Sequence, residues 1–284
     1  MEDRFGLKPL WDGLLAIHAD FARICEKHNL TYYVAFGTAL GAIRHGGFIP
    51  WDDDFDVIMP RPDYDKFIAL SENEFPSHLK LVNWHNTREF SHVFSKVMDV
   101  RKERIEAVEK AVGYPQNQGL FIDVFPLDGY PSSWMGLKWW HLKYLVLRCV
   151  EWGIEKKKVT KRVHYVERAL GFVFHLLTPW IREQHDVMPF MERLSRPVDY
   201  SACKTCGYVV NQTFFCPKIH AKSTFGIPRK VPFMDTEVNV AENYDAYLKV
   251  EYGEYMRLPP AASQKPHHGE QIVAPWKFGP TNIK

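Results

Sequence analysis

Four aspartates lie within five residues of this 284-residue chain: Asp52, Asp53, Asp54 and Asp56. Like charges at this spacing repel one another, so their pKa values rise unless a cation neutralises them. Mg²⁺ and Mn²⁺ prefer oxygen ligands, and they bind through carboxylates together with the phosphates of a substrate. The acidic segment therefore predicts a divalent-cation site that works on a phosphorylated substrate.

A strand that includes Phe55 would decide which of the four carboxylates share one face. Side chains alternate along a strand, so Asp54 and Asp56 are predicted to point one way and Asp53 the other. Asp52 is in phase with Asp54 but precedes the regular strand, which makes it an outer candidate. A solvated acidic loop and a calcium-binding loop are the alternatives, and the calcium loop lacks the glycine expected after its third acidic position.

The residues before the acidic segment are of types that bind phosphate. Gly37-Thr38 follows a predicted buried strand and precedes a helical turn. Backbone amides at a helix N-terminus bind phosphate, and glycine lets the phosphate approach closely. A plain helix N-cap is the alternative interpretation. Three further side chains that flank the acidic segment in sequence are predicted to bind the substrate: Arg44, His45 and Arg61.

A third carboxylate is needed to complete the metal site or to accept a proton, and Asp123 is the candidate. It is the only acid in the apolar run Phe121–Phe125, where a charge is unfavourable without a partner. A cation at the metal site would be one such partner. An ion pair with Lys96 or an arginine is the alternative, and Lys96 is also a candidate for binding substrate phosphates.

A second metal-binding pattern lies in the C-terminal third of the chain. Cys203-x2-Cys206, followed by Cys216-x3-His220, has the ligand spacing of a structural zinc site. Free cysteines are often small buried core residues, which is the alternative explanation. The pattern therefore predicts structural Zn²⁺ bound by these four residues, with a plain buried strand in its place if no zinc is present.

The elements that must position these residues are predicted to be of mixed type. Apolar residues recur at helical spacing over residues 7–29, which predicts an amphipathic helix. Further helices are predicted at Ala39–Arg44, after Pro62, over 133–151 and 161–184, and at Asn243–Tyr252. Strands are predicted at Tyr32–Phe36, Phe55–Met59, Leu79–Trp84, His92–Asp99, Arg104–Val108, Gly119–Phe125 and Tyr208–Phe215. Helices and strands in this order predict an α+β fold, with a mixed sheet flanked by helices.

The helix predicted over 133–151 is both basic and aromatic. Its tryptophans and basic residues are Trp134, Trp139, Trp140, Lys138, Lys143 and Arg148. Helices of this composition lie in the interface of a membrane, with the aromatic rings at the level of the headgroups. A buried core helix is the alternative, and the sequence leaves both interpretations open.

Composition and charge exclude several classes of protein. A net charge of +2 gives no signature of nucleic-acid binding, and five scattered cysteines argue against a secreted disulfide framework. Met1–Arg4 does not resemble the start of a signal peptide. The longest apolar runs, Leu142–Val150 and Ala169–Ile181, are shorter than the ~20 residues that span a bilayer. We expect a cytoplasmic protein, located at the inner face of the membrane if the basic helix binds lipid.

Three segments of the chain resemble one known family. Phe36–Val57, with the sequence FGTALGAIRHGGFIPWDDDFDV, closely resembles the signature of the LicD family, and so does the MPRPDY run that follows it. Gly119–Gly129 and the C-terminal segment Tyr252–Pro260 (YGEYMRLPP) are also similar to that family. The resemblance extends over residues 10–130 and 225–270, and its first stretch is long and specific.

The resemblance implies a nucleotidyltransferase-like fold and a metal-dependent transfer of a phospho-alcohol from a CDP-activated donor to a sugar hydroxyl, with release of CMP. Phosphocholine from CDP-choline is the expected group. The expected acceptor is a cell-surface glycan, either lipopolysaccharide or teichoic acid, and such acceptors are often lipid-linked in the family. The family pattern of a glycine turn, Asp-x-Asp and a later aspartate maps onto Gly37-Thr38, Asp54 with Asp56, and Asp123. It implies Mg²⁺ or Mn²⁺ bound by these three aspartates, which are also the catalytic candidates.

Two other functions would use the same residues. A nucleotidyltransferase would move the nucleoside monophosphate and release pyrophosphate, with an identical metal site. A non-catalytic module would bind a nucleotide or a metal without turnover, which would suit a degraded acidic motif. Identification of the released product separates these alternatives from phospho-alcohol transfer.

The domain organisation follows from the resemblance and from the change in composition near residue 131. We expect a nucleotidyltransferase-like catalytic core at residues 1–130. An inserted helical, aromatic-rich subdomain is expected at 131–200, where it would bind the acceptor or a membrane surface. Residues 201–284 are expected to complete the core.

Overall fold

The computed structural model describes residues 5–104, 118–154, 181, 183–208 and 218–266 of the chain. The chain divides into two compact units. Unit 1 is made of Met1–Val82, Ser95–Leu127 and His220–Lys284, and unit 2 of Asn83–Phe94 and Asp128–Ile219. The acidic segment belongs to unit 1, and the basic aromatic helix belongs to unit 2.

The sheet of unit 1 contains both parallel and antiparallel strands. Its strands are β1 (Tyr33–Val34), β2 (Asp56–Pro60), β3 (Leu79–Val82), β4 (Ser95–Arg104) and β5 (Gln118–Tyr130, of which the last three residues belong to unit 2). Their order is β1-β2-β5-β4-β3, and only β2 and β5 run parallel among these neighbours. Together with the helices, this mixed sheet confirms the predicted α+β class.

Three helices of unit 1 lie close to the first strands in sequence: α1 (Lys8–Lys27), α2 (Phe36–His45) and α3 (Arg61–Ile68). The apolar residues that predicted α1 form its buried face, which includes Leu14, Ile17 and Phe21. α2 begins earlier than predicted, because Phe36 opens this helix, with a positive φ of 43°, instead of ending the preceding strand. The helix ends at Gly46, whose φ of 65° is one that glycine adopts readily.

β5 is longer than the sequence predicted, because it continues through Pro126. Proline lacks an amide donor and is uncommon inside a sheet. The ladder between β4 and β5 ends at the pair Ser95–Val124, so β4 requires no amide from Pro126. β2 still pairs with this stretch in parallel register. The proline is therefore tolerated where one neighbouring strand has already ended.

Unit 2 is built on two described helices and one short strand: α4 (Trp134–Ile154), α5 (Gln184–Ser195) and β6 (Thr205–Gly207). β6 pairs antiparallel with the last three residues of β5. The core of the unit contains Trp140 and Tyr144 of α4, which pack with Val187 and Met191 of α5 and with Tyr130. The indole N–H of Trp140 also donates to the carbonyl of Leu194 at 2.7 Å, which ties α4 to α5.

α4 confirms the helix predicted over 133–151. Most of the predicted helix 161–184 and nearly all of the predicted strand Tyr208–Phe215 lie outside the described residues. Across the described parts of both units, we find no helix with the length and apolar character that crossing a membrane requires.

The C-terminal part of unit 1 contains a strand pair and a helix. Its elements are β7 (His220–Ala221), β8 (Arg229–Phe233), β9 (Thr236–Val240) and α6 (Tyr244–Tyr252), with 3₁₀ turns at Lys222–Thr224 and Ala261–Ser263. β8 and β9 pair antiparallel. The ring of Phe233 packs edge-on against Phe48, at 4.9 Å between centroids. Phe48 stacks on Trp11 of α1, whose indole N–H donates to the carbonyl of Asp52 at 2.8 Å. This aromatic core fixes the backbone where the acidic segment begins.

His18 makes the stability of unit 1 depend on pH. It is buried in α1, where its Nε2 lies 3.1 Å from the hydroxyl of Tyr32, and burial lowers its pKa to about 4. The unfolded chain takes up this proton near pH 6.5, whereas the folded chain does not, so stability falls as the pH drops from 6.5 towards 4. The wild-type protein should lose about 3 kcal/mol of folding stability through His18 in this pH range, and His18→Gln should remove that loss. Urea unfolding of both proteins between pH 4 and 7.5 measures it, and identical pH slopes would contradict it.

Candidate active site

The register of the sheet brings Asp123 to Asp56. The two residues are direct partners across the parallel strands β2 and β5, and the amide of Asp123 donates to the carbonyl of Phe55 at 3.0 Å. Lys96 on β4 is the partner of Asp123 on its other side, with its Nζ 3.7 Å from Asp123 Oδ1. The same Nζ lies 3.3 Å from the ring centroid of Phe121. Two carboxylates and one cation predicted from separate segments therefore meet on neighbouring strands.

The three aspartates before β2 lie in a loop rather than in a strand. β2 begins only at Asp56, so the alternation of a strand does not govern Asp52, Asp53 and Asp54. Each of these three offers a carboxylate oxygen, and the three oxygens lie within 4.8 Å of one another. The prediction that Asp53 points away from its neighbours is therefore wrong, and Asp52 is a full member of the cluster. Within the described part of the chain, no other group of three or more potential metal ligands occurs.

The electrostatics of this cluster favour a cation. The pKa of Asp52 is raised well above its usual range by burial, and then by the charge of Asp54, which also shares a side-chain hydrogen bond with it, and by Asp53. The pKa of Asp56 is raised by burial, and then by the charges of Asp54, Asp123 and Asp52. Lys96 opposes this rise at Asp56 but does not cancel it. Buried carboxylates in such close array need a positive partner to ionise together.

The start of α2 is fitted closely to the acidic loop. A Cβ atom on Gly37 would lie 2.5 Å from Asp52 Oδ2, so only glycine leaves room for this carboxylate in its present position. Asp52 Oδ2 is buried and accepts no hydrogen bond from the described residues. The hydroxyl of Thr38 accepts a hydrogen bond from the amide of Asp56 at 2.9 Å, which joins α2 to the first residue of β2.

The position of Gly37-Thr38 in α2 bears on the N-cap interpretation. The N-cap position of α2 is Ala35, and its side chain makes no cap hydrogen bond, so the plain N-cap interpretation is wrong. Gly37 and Thr38 lie in the first turn of the helix, where amides have no intrahelical acceptor. Such amides are suited to bind an anion.

Arg44 connects α2 to the C-terminal segment of unit 1. Its Nη1 donates to the carbonyls of Tyr255 at 2.8 Å and Arg257 at 3.4 Å. Burial lowers the pKa of Arg44 and also that of neighbouring His45, whose pKa the charge of Arg44 lowers further. Arg44 thus holds a backbone segment in place, and His45 packs edge-on against Trp51 at 6.3 Å.

Arg61 does not lie beside the acidic cluster. It follows the last residue of β2, whereas Asp56 is the first, and five residues of strand span roughly 16 Å. Its Nη1 lies 3.5 Å from Asp65 Oδ1, and its guanidinium lies 5.0 Å from the ring centroid of Tyr64. The structure therefore brings Lys96 to the acids but leaves Arg61 at the far end of the strand.

A cavity of about 860 Å³ adjoins the acidic cluster within unit 1. Its walls include Asp52, Gly37 and Arg44 on one side and the segment from Tyr252 to Ser263 on the other. Three aromatic residues contribute to it: Trp51, Tyr252 and Tyr255. Tyr252 is exposed over part of its surface, and burial and the charge of Asp52 raise the pKa of its hydroxyl.

Sequence reasoning did not find this cavity. Pro259, Pro260 and Ser263 line the cavity, and the chain forms a 3₁₀ turn there. Among the contacts of the preceding residues are hydrogen bonds from Arg44 to the backbone carbonyls of Tyr255 and Arg257, which no residue spacing encodes. The similarity of Tyr252–Pro260 to a known family was the one available signal.

Three of the four predicted zinc ligands are among the described residues. Cys203 and Cys206 are buried residues of unit 2, and the thiol of Cys203 donates to the carbonyl of Tyr200 at 3.2 Å. His220 belongs to unit 1, where its Nε2 lies 2.9 Å from Glu251 Oε1 in a fully buried pair. Cys216 lies outside the described residues, so the four-ligand zinc site stays a prediction.

Comparison with known proteins adds evidence that is independent of this geometry. Residues 29–145 match the family described as "LicD/FKTN/FKRP, nucleotidyltransferase domain". The chain is 27% identical over 254 residues to the lipopolysaccharide cholinephosphotransferase LicD of Haemophilus influenzae, covering 87% of this chain and 90% of that protein. Uncharacterised proteins of Rickettsia prowazekii and Rickettsia typhi are each 43% identical over 44 residues, which is 16% of this chain. Residues 29–145, which carry the acidic cluster, Asp123 and Lys96, are therefore similar to the nucleotidyltransferase domain of the LicD family.

Proposed function

We propose that this chain is a phosphotransferase that moves phosphocholine from CDP-choline to a sugar hydroxyl of a lipopolysaccharide-type glycan and releases CMP. The observation that carries the proposal is the placement of Asp56 opposite Asp123, beside the three clustered aspartates and the first turn of α2. The name of the Haemophilus influenzae relative supports the choice of phosphocholine and of lipopolysaccharide.

The acidic residues fit a divalent cation of the Mg²⁺ or Mn²⁺ type. The buried Oδ2 of Asp52 has no hydrogen-bond donor in the described chain, and like charges raise the pKa of Asp56. We assign the cation to Asp54, Asp56 and Asp123. Among the described residues only the oxygens of Asp52, Asp53 and Asp54 lie within 4.8 Å of one another, so the carboxylates of Asp56 and Asp123 would have to move towards Asp54 when the ion binds. When bound, it would neutralise the diphosphate and lower the pKa of the attacking hydroxyl.

The protein's own residues would then act on the acceptor hydroxyl and on the phosphates of the donor. The acceptor hydroxyl oxygen forms a bond to the phosphorus of phosphocholine, the bond from that phosphorus to the CMP oxygen breaks, and Asp123 accepts the hydroxyl proton. The amides of Gly37 and Thr38 bind a phosphate at the N-terminus of α2. Lys96 donates to phosphate oxygens, where negative charge develops in the transition state. Arg44 acts by holding the C-terminal segment, and a substrate contact of Arg61 stays a prediction.

The cavity beside Asp52 is the proposed site of the choline head group. A quaternary ammonium cannot donate a hydrogen bond, and it is bound by aromatic faces and negative charge. The cavity offers both, through Tyr252, Tyr255 and Trp51 and through the carboxylate of Asp52.

Replacement of one cavity tyrosine tests this assignment of the head group. We expect Tyr252→Ala to raise the KM for CDP-choline about tenfold, because a cation–π contact contributes roughly 1–2 kcal/mol. The KM for CDP-glycerol, which has no cation, should change little. Tyr244→Ala, on the same helix but outside the cavity lining, is the matched control. Equal effects of Tyr252→Ala on both donors would place the head group elsewhere.

Product analysis tests the reaction itself. Purified protein, Mg²⁺, CDP-choline and lipopolysaccharide lacking phosphocholine should give CMP and phosphocholine-modified glycan in equal amounts. Release of pyrophosphate from a nucleoside triphosphate instead would support the nucleotidyltransferase alternative. Absence of turnover with the choline, ethanolamine, glycerol and ribitol donors, despite binding of CDP-choline, would support a non-catalytic module.

A further inference from the structure

α4 has two apolar faces, and only one of them is used in the core of unit 2. Trp140 and Tyr144 pack in that core, and the indole of Trp140 is hydrogen-bonded to α5. Five other large apolar side chains of α4 are exposed: Trp134, Met135, Trp139, Leu142 and Val146. Their exposed fractions range from 41% at Val146 to 75% at Met135. Packing among the described residues therefore accounts for the apolar side chains on one face of this helix, but not for those on the other face.

The exposed apolar residues form one continuous surface with two lysines. At about 100° per residue, Lys138 and Lys143 fall on the same half of the helix as the five apolar residues. Lys138 Nζ lies 5.7 Å from the ring centroid of Trp134, and Lys143 Nζ lies 5.3 Å from that of Trp139. No aspartate or glutamate occurs between Pro131 and Leu147. We call this surface the α4 face; it is apolar, rich in indole rings and purely basic.

The composition of the α4 face distinguishes between its possible partners. Tryptophan is enriched at membrane interfaces, and lysine extends its charge from an apolar surface to the level of the headgroups. Anionic lipids attract each lysine near the surface. A second copy of the chain fits less well, because a symmetric contact would bring the lysines of both copies together without any acid to offset them. A membrane-spanning role does not fit, since the described helices are not apolar enough for it.

We propose that the α4 face binds the surface of membranes that contain anionic lipids. The helix lies along the membrane, with Trp134, Trp139 and their apolar neighbours among the headgroups and with Lys138 and Lys143 against lipid phosphates. The proposal does not depend on the reaction catalysed by unit 1. It gives the chain a means of reaching an acceptor that is anchored in lipid.

Vesicle binding by the full chain tests the proposal. The protein should co-sediment with vesicles of phosphatidylglycerol and phosphatidylcholine, and weakly with phosphatidylcholine alone. Trp134→Ser with Trp139→Ser should weaken binding at least about tenfold, because two indole rings lose their burial in lipid. Lys138→Glu with Lys143→Glu should abolish the preference for anionic vesicles. Added salt should weaken the same preference in the wild-type protein, because it screens the charges. Circular dichroism checks that each variant is folded, and the lysine variant alters no core side chain.

A matched control uses exposed residues of unit 1. Ile227→Ser with Lys230→Glu removes one exposed apolar side chain and reverses one exposed charge, and it should leave vesicle binding unchanged. Wild-type binding by both α4 variants would overturn the proposal, as would a lack of binding to any vesicle. A dimer in sedimentation equilibrium that the tryptophan variant dissociates, without vesicle binding, would show instead that the α4 face joins two copies of the chain.

Discussion

The Asp56→Asn substitution is expected to reduce phosphocholine transfer at least about 10³-fold and to stabilise the metal-free protein. Asparagine keeps the shape of the side chain but removes its charge, so it is a poorer ligand for a cation. The same change removes the repulsion that Asp54, Asp123 and Asp52 exert on Asp56. One substitution should therefore abolish activity and raise the unfolding temperature by a few degrees.

The stability gain has a defined pH dependence. Since the pKa of Asp56 is raised in the folded protein, the wild-type chain carries the cost of ionising it only above the ordinary aspartate pKa of about 4. The difference between Asp56→Asn and wild type should be largest at neutral or higher pH and should vanish towards pH 4. Thermal unfolding in a chelator, followed at several pH values, measures this difference.

The control for Asp56→Asn is an aspartate outside the cluster. Asp12 lies on the exposed side of α1, where it pairs with Lys8 at 2.9 Å, and such surface pairs contribute little to stability. Asp12→Asn should alter neither turnover nor the unfolding temperature appreciably. If Asp56→Asn retains turnover within fivefold of wild type, Asp56 has no part in the mechanism.

The second large effect concerns Lys96, the cation beside the acids. Its Nζ is near Asp123, its side chain is 11% exposed, and its charge opposes the raised pKa of Asp56. We expect Lys96→Met to destabilise the metal-free protein by roughly 1–3 kcal/mol, since the carboxylate of Asp123 loses a positive neighbour on the paired strand. Urea unfolding in the presence of a chelator gives this value.

A double-mutant cycle separates the charge effect from lost packing. In the Asp56→Asn background fewer carboxylates remain near Lys96, so Lys96→Met should cost about 1 kcal/mol less than in wild type. Lys66→Met, at an exposed position of α3 that pairs with Asp63, is the control and should change stability little. Equal costs of Lys96→Met in both backgrounds would mean that Lys96 and Asp56 are not coupled.

Local patterns predicted the elements that position the site. The helical spacing of Leu14, Ile17 and Phe21 predicted α1, because the buried face of a helix repeats within the element itself. Asp123 was predicted as a site residue because it is a lone acid in an apolar strand, and the structure places it opposite Asp56. Both inferences use information contained in a single segment.

The failed predictions depended on boundaries or on contacts between distant segments. Asp53 was misplaced because the alternation rule was applied to a loop, and the sequence does not mark where β2 begins. The cavity wall formed by the segment that follows Tyr252 was missed because Arg44 binds this segment through the backbone carbonyls of Tyr255 and Arg257. Hydrogen bonds of that kind leave no periodicity in the segment that accepts them.

The parallel pairing of β2 with β5 has a consequence for the rate at which the protein unfolds. These strands are far apart in the chain, with β3 and β4 between them, so their pairing closes a long loop and forms slowly. A cation that needs Asp56 and Asp123 together binds only after this step. It would then add its stabilisation to the native state and little to the folding transition state, so it would slow unfolding without speeding folding. The proposed cation site would thus make the lifetime of the folded chain depend on the supply of the ion.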